Sequence, residues 1–295
     1  MRSRSKLLAS VFATTALGAA MAMPALAHPS GFTCSGTLAA PKVIPPGVYG
    51  SVSMPSGSLC AVNGSVTILA PLKLSSGAGL GVFLGGSLTI QGPLTVGPGA
   101  AFGNLGNSAP INVNGPVKVD SNGAFIVGVE SPYAPIVSAI RGPVTAQDAS
   151  TVQIHNTQIG GPVKIDGGGG DNAIIDRFFG PGSNFNDLED NQILGPVSET
   201  GYDGIWAGII RDKIYGPLTF SDNAEPPLPP GSEFVNEYDI GSNLIFGPAT
   251  CDDNNPAPNM GPSSGSPSIV HGPVRGDQAA TCTGTPAGKT GPPVV

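Results

Sequence analysis

Charge and helical stripes are what this sequence has least of. Asp, Glu, Lys and Arg make up 11% of its 295 residues, and there are one tryptophan and four cysteines. A protein that grips a nucleic-acid backbone needs a basic stripe. Thirteen scattered Lys and Arg against twenty Asp and Glu argue against nucleic acid as a partner. After residue 27 no apolar run reaches about eighteen residues, so no membrane span is expected in the mature chain. A helical His pair, a Gly-x-Ser-x-Gly elbow and a phosphate-binding loop are also missing, which removes the commonest local signatures of metalloprotease, hydrolase and nucleotide chemistry. Disorder is excluded by the balance of 40% hydrophobic residues to so little charge, since disordered chains have the reverse.

The N-terminus supplies an address. Arg2, Arg4 and Lys6 precede an uncharged stretch from Leu7 to Met23, and Ala25-Leu26-Ala27 is a small-residue cleavage site. This is the order of a secretory signal peptide, with cleavage expected after Ala27 and an extracellular or cell-envelope destination. Losing the leader takes the formal charge from −7 to −10.

What dominates the rest is a repeat. An apolar-x-Gly-Pro-apolar unit occurs eight times, beginning at Ile90, Val113, Ile140, Ile159, Ile193, Ile214, Ile245 and Val270, with a degenerate copy at Ile68. The spacings run from 19 to 34 residues, too variable for hexapeptide or nonapeptide helices. A solenoid that keeps its strands and varies its loops fits. The best copies read Gly-Pro-apolar-polar-apolar-polar-polar-Asn and end at Asn122, Asn223 and Asn254. The alternation gives a short strand with one inward face, and the Asn is expected to leave it through the left-handed region and to stack as a ladder. Gly is assigned to relieving the bend and Pro to a corner where the ladder is interrupted.

The expected fold is therefore all-β: a right-handed parallel β-helix with irregular coils of roughly 20–30 residues, about nine of them, stacked about 4.8 Å apart. Handedness follows from the chirality of parallel crossovers. The competing antiparallel sandwich leaves the recurrent pentapeptide unexplained. The division expected is a signal peptide at 1–27, an N-terminal cap at 28–60, the β-helix at 61–255 and a Pro/Gly-rich tail at 256–295. Solenoid ends need caps, and Cys34 and Cys60 precede the regular coils while Cys251 and Cys282 follow them. Export and proximity favour the pairs Cys34–Cys60 and Cys251–Cys282. Cys251 also occupies the inward position of Val119 and Phe220, so a buried free thiol is the alternative there.

The repeat unit behind a signal peptide resembles secreted bacterial proteins of uncharacterised function with right-handed β-helix repeats, over about Ser65 to Asn255. The resemblance implies the fold and no activity. Asp252-Asp253, His271 and Arg275 are similar in order to the acid–base set of polygalacturonase-like hydrolases, but an upstream Asn-Thr-Asp is missing. Asp166, four glycines, Asp171 and Asn172 form a flexible acidic loop with donors that suit Ca²⁺, or a plain solvated connection. Pectate lyase-like enzymes pair such an ion with a basic residue, and Arg177 is the one nearby. Tyr202, Trp206 and Phe220 offer aromatic faces for a sugar, or serve as packing. Arg275-Gly276-Asp277 is too short a match to carry weight.

The reading favoured is a non-enzymatic extracellular structural or surface-interaction protein with a glycan or protein partner. The alternative is a polysaccharide lyase or glycoside hydrolase on the same scaffold.

Overall fold

The computed structural model describes residues 29–83, 85–104, 109–129, 134–179, 184–226, 237–259 and 266–283. The leader, with its cleavage point after Ala27, lies outside them. Each repeat unit forms the corner between two strands. Ser87–Ile90 ends at one Gly-Pro, Leu94–Val96 begins after it, and Ala101–Gly103 closes the coil before Ile111–Val113 starts the next. Like strands stack in register. Ile90 lies beside Val113, Leu94 beside Val117 and Phe102 beside Phe125, every pair parallel. The result is a parallel β-solenoid of three sheets. The first has ten strands and leads into Gly-Pro, the second has nine and follows it, and the third has nine and completes the coil.

Inward positions are Val, Ile, Leu and Phe with essentially no exposure, from Ile44 to Ala249, and they form one continuous core. Burying each such side chain is worth about 1.5–3 kcal/mol, which an isolated coil could not realise. The glycine of the unit is required by close approach more than by conformational freedom. A Cβ on Gly142 would lie 2.6 Å from the Pro116 nitrogen of the preceding coil, and one on Gly272 2.5 Å from that of Pro248. The proline carbonyls are used in turn. Leu94 N–H donates to Pro116 O at 3.0 Å and Val117 N–H to Pro143 O at 2.9 Å.

The expected Asn ladder exists with a one-residue correction. Asn122 adopts the left-handed turn (φ 54°), but in the sister units Asp222 and Asp253 take that conformation. The following Asn223 and Asn254 are buried, and each amide oxygen accepts a backbone N–H of the coil before. Tyr202 N–H donates to Asn223 Oδ1 at 2.9 Å, and Asn223 N–H to Asn254 Oδ1 at 3.2 Å. A second ladder runs along the corner between the third and first sheets through Thr157, Asn191, Asp212, Asn243 and Ser268.

The sheets reach beyond the expected span of 61–255. Lys42–Ile44 and Gly47–Tyr49 begin them, and Ile269–Val270 and Val274–Arg275 end them. Within the segment expected as the Pro/Gly-rich tail, the last repeat copy, at Val270, builds the strands Ile269–Val270 and Val274–Arg275. Both expected cysteine pairs are bonded, with Cα separations of 6.0 and 5.6 Å. Cys251 is at once inward, beside Phe220, and joined to Cys282 on the short helix Ala279–Cys282. Among the described residues no helix is long and apolar enough to cross a membrane.

Candidate functional site

The acidic Gly loop is a tight crossing. Gly167, Gly168 and Gly169 all have positive φ, and a Cβ on Gly168 would lie 2.1 Å from Ala149 O. Asn172 Oδ1 caps the helix Ala173–Phe179 by accepting from Ile174 and Ile175 N–H at 3.0 and 3.2 Å. Its amide nitrogen donates to Asn122 O at 2.7 Å. Asp166 meets Lys164 at 3.1 Å, while Asp171 and Arg177 are exposed. With Asn172 committed to the backbone, the donors expected for Ca²⁺ are reduced to the two carboxylates.

The aromatic trio is split by the coil wall. Tyr202 and Phe220 are fully buried, with the Tyr202 hydroxyl 3.4 Å from Asn184 O. Burial, reinforced by Glu199, pushes the Tyr202 phenol well above its ordinary range. Trp206 lies on the outer side, half-buried, edge-on to Phe185 at 5.7 Å and over Gly208, where a Cβ would meet the indole at 2.2 Å. The three therefore share no ligand-facing surface. Asp252 and Asp253 gather with Asp277 at a turn, where Asp277 N–H donates to Asp252 at 3.0 Å. That backbone hydrogen bond holds Asp252 below the ordinary range, while repulsion from Asp252 and Asp277 raises Asp253. His271 stands apart from this group, on another edge.

That edge is the slot between the apolar residue and Gly-Pro. Leu194, Tyr215, Phe246 and His271 fill it in four successive coils, all exposed. The last three stack, with centroids 4.9 and 5.2 Å apart and ring planes within 8°. Lys213 Nζ lies 5.2 Å from the Tyr215 ring. Stacked rings cover one another's faces and turn their edges outward. Such a ridge suits an apolar surface better than the flat face of a sugar, which needs an open ring.

A second constellation lies on the outer side of the third sheet. Ile154 and Leu188 point inward, so Gln153, His155, Asp187 and Glu189 point outward by alternation. His155 Nε2 is 3.8 Å from Asp187 Oδ2, and His155 Nδ1 is 3.5 Å from Glu189 Oε2. Arg211 contacts Glu189 Oε1 and grips Asp190 through two bonds of 2.9 Å. Asp190 and Arg211 belong to a column of left-handed residues, Asn156, Asp190, Arg211 and Ser242, that turns each coil after this sheet. His155, Asp187 and Glu189 are at most 4% exposed. The sequence reading missed this group, because 34 residues separate His155 from its register partner Glu189.

No family model matches this chain, and no curated protein or solved structure matches it either.

Proposed function

We propose that the chain is exported and, without catalysis, presents a disulfide-capped β-solenoid to an extracellular partner. The observation that carries this reading is the exposed ridge of Leu194, Tyr215, Phe246 and His271, in which three rings stack in register along successive coils. The edge-out rings favour a protein surface over a glycan. Export comes first in the test: the N-terminus of the chain released by its producing cells should be His28. The released chain is then bound to protein-coated and glycan-coated surfaces beside a Tyr215→Ser/Phe246→Ser variant. Loss of protein-surface binding by tenfold or more, at unchanged melting temperature, supports the reading. Equal binding by both chains refutes it.

A second reading, a carbohydrate-active enzyme, draws on the convergence of Asp187 and Glu189 around His155, since paired carboxylates supply acid and base in glycoside hydrolysis. It requires turnover of a polyuronate or neutral glycan that Glu189→Gln abolishes. The burial of all three side chains weighs against it.

A further inference from the structure

We propose that His155, Asp187 and Glu189 bind one divalent transition-metal ion of the Zn²⁺ class. The proposal depends on neither reading above. One imidazole and two carboxylates are the donor set that borderline divalent ions take. One ligating atom from each side chain lies within 4.8 Å of the other two, and His155 Nε2 is 3.8 Å from Asp187 Oδ2. Bonds of about 2.0–2.2 Å hold ligand atoms about 3.3–4.2 Å apart, so atoms already within 4.8 Å of one another reach a common centre by small side-chain adjustments. The donors stand on adjacent strands, where the register holds them: His155 pairs with Glu189, and Gln153 with Asp187.

Three further observations point to a cation. Glu189 is 2% exposed, and its Oε2, on the imidazole side, accepts no hydrogen bond. A buried carboxylate oxygen without a donor is costly, and a metal ion removes that cost. The charges also count toward a dication. With a neutral imidazole, Asp187, Glu189 and Asp190 outweigh Arg211 by two negative charges, and Asp239 lies two strands further along the same outward row. Finally, Arg211, itself fixed by Asp190, holds the far oxygen of Glu189, the outer support that metal-binding carboxylates characteristically have.

The test uses the exported chain without a tag, stripped by chelator, then given ZnCl₂, MnCl₂, CaCl₂ or MgCl₂ and desalted. Elemental analysis is expected to find one zinc per chain, with a raised melting temperature, and no retained calcium or magnesium. His155→Gln and Glu189→Gln should lose the ion, while Arg211→Gln should weaken it about tenfold. Asp252→Asn, in the exposed acidic group, should change nothing. The only other histidines are His28 and His271, so zinc retained by His155→Gln would place the ion elsewhere and overturn the proposal. So would wild-type chain that retains no stoichiometric zinc, which would mean an ion-pair cluster alone. If the variants do not fold, Co²⁺ added to the wild type decides: visible bands of a four-coordinate nitrogen and oxygen site support the proposal, and the spectrum of hydrated Co²⁺ refutes it.

Discussion

Replacing Asp212 by Asn should make the protein more stable at pH 8 and leave it unchanged near pH 4. Asp212 occupies a slot of the corner ladder that Asn holds on either side. Asn191 Nδ2 donates to Ile154 O and Asn243 Nδ2 to Ile209 O, both at 2.6 Å. The equivalent acceptor for Asp212 is Leu188 O, since Ile154, Leu188 and Ile209 are register partners. A carboxylate has nothing to donate there, and its buried Oδ2 lacks a hydrogen-bond partner. A protonated carboxyl supplies the missing donor. Burial accordingly pushes Asp212 up to about 8, against the hydrogen bonds from Asn191 that lower it. The folded chain thus keeps a proton that the unfolded chain releases near pH 4, and stability falls as pH climbs between those values. At about 1.4 kcal/mol per pH unit, the ceiling on this penalty is about 5 kcal/mol at pH 8. Asn supplies the donor at every pH. Thermal unfolding at pH 4.5, 6, 7.5 and 8.5 should give curves that coincide at the acid end and separate by about 5–10 °C at pH 8. A constant offset across pH, or a variant less stable at pH 8, would refute the reasoning.

Glu199, inward on the second sheet and bonded by Asn186 at 2.9 Å, is raised by burial to about 7. Glu199→Gln should therefore gain up to about 3 kcal/mol above pH 7 and nothing near pH 4, by the same denaturation series. Gly216→Ala would place a Cβ 2.6 Å from the Pro196 nitrogen, and chemical denaturation should register a loss of about 1–3 kcal/mol. Cys251→Ser should cost about 2–5 kcal/mol and raise amide exchange first in the last coils, whereas Cys34→Ser should do so at the other end.

The first two sheets were legible because their shared corner is chemical. Gly-Pro can only sit where a coil turns over its neighbour, so each copy located two strands. The third sheet carries a comparable mark only in its early coils, where Gly79-Leu80, Ala101-Phe102 and Ala124-Phe125 recur at offsets of 22 and 23 and stack in register, and its later connections vary in length. The register that joins His155 to Glu189 crosses a tight Gly crossing and a helix that no periodicity announces. Tyr202 and Trp206 lie four residues apart, yet one is inside and the other outside, a distinction that depends on where the turn after Thr200 ends. The Asn offset was visible but misassigned, since Asp222 and Asn223 are both turn formers and only the stacking shows which one faces the coil below. The exposed ridge lies in the repeat unit itself, in the x slot of apolar-x-Gly-Pro that Leu194, Tyr215, Phe246 and His271 occupy.

The Gly-Pro column also bears on how such a molecule can change size. Each coil meets the next through the same backbone contacts, whatever the length of its outer connections, which here differ by up to 15 residues between copies. Duplicating one unit, such as residues 193–213, would then lengthen the prism by one strand spacing of about 4.8 Å while leaving both cystine-closed ends untouched. Growth by insertion in the middle is therefore open to this architecture without disturbing either disulfide.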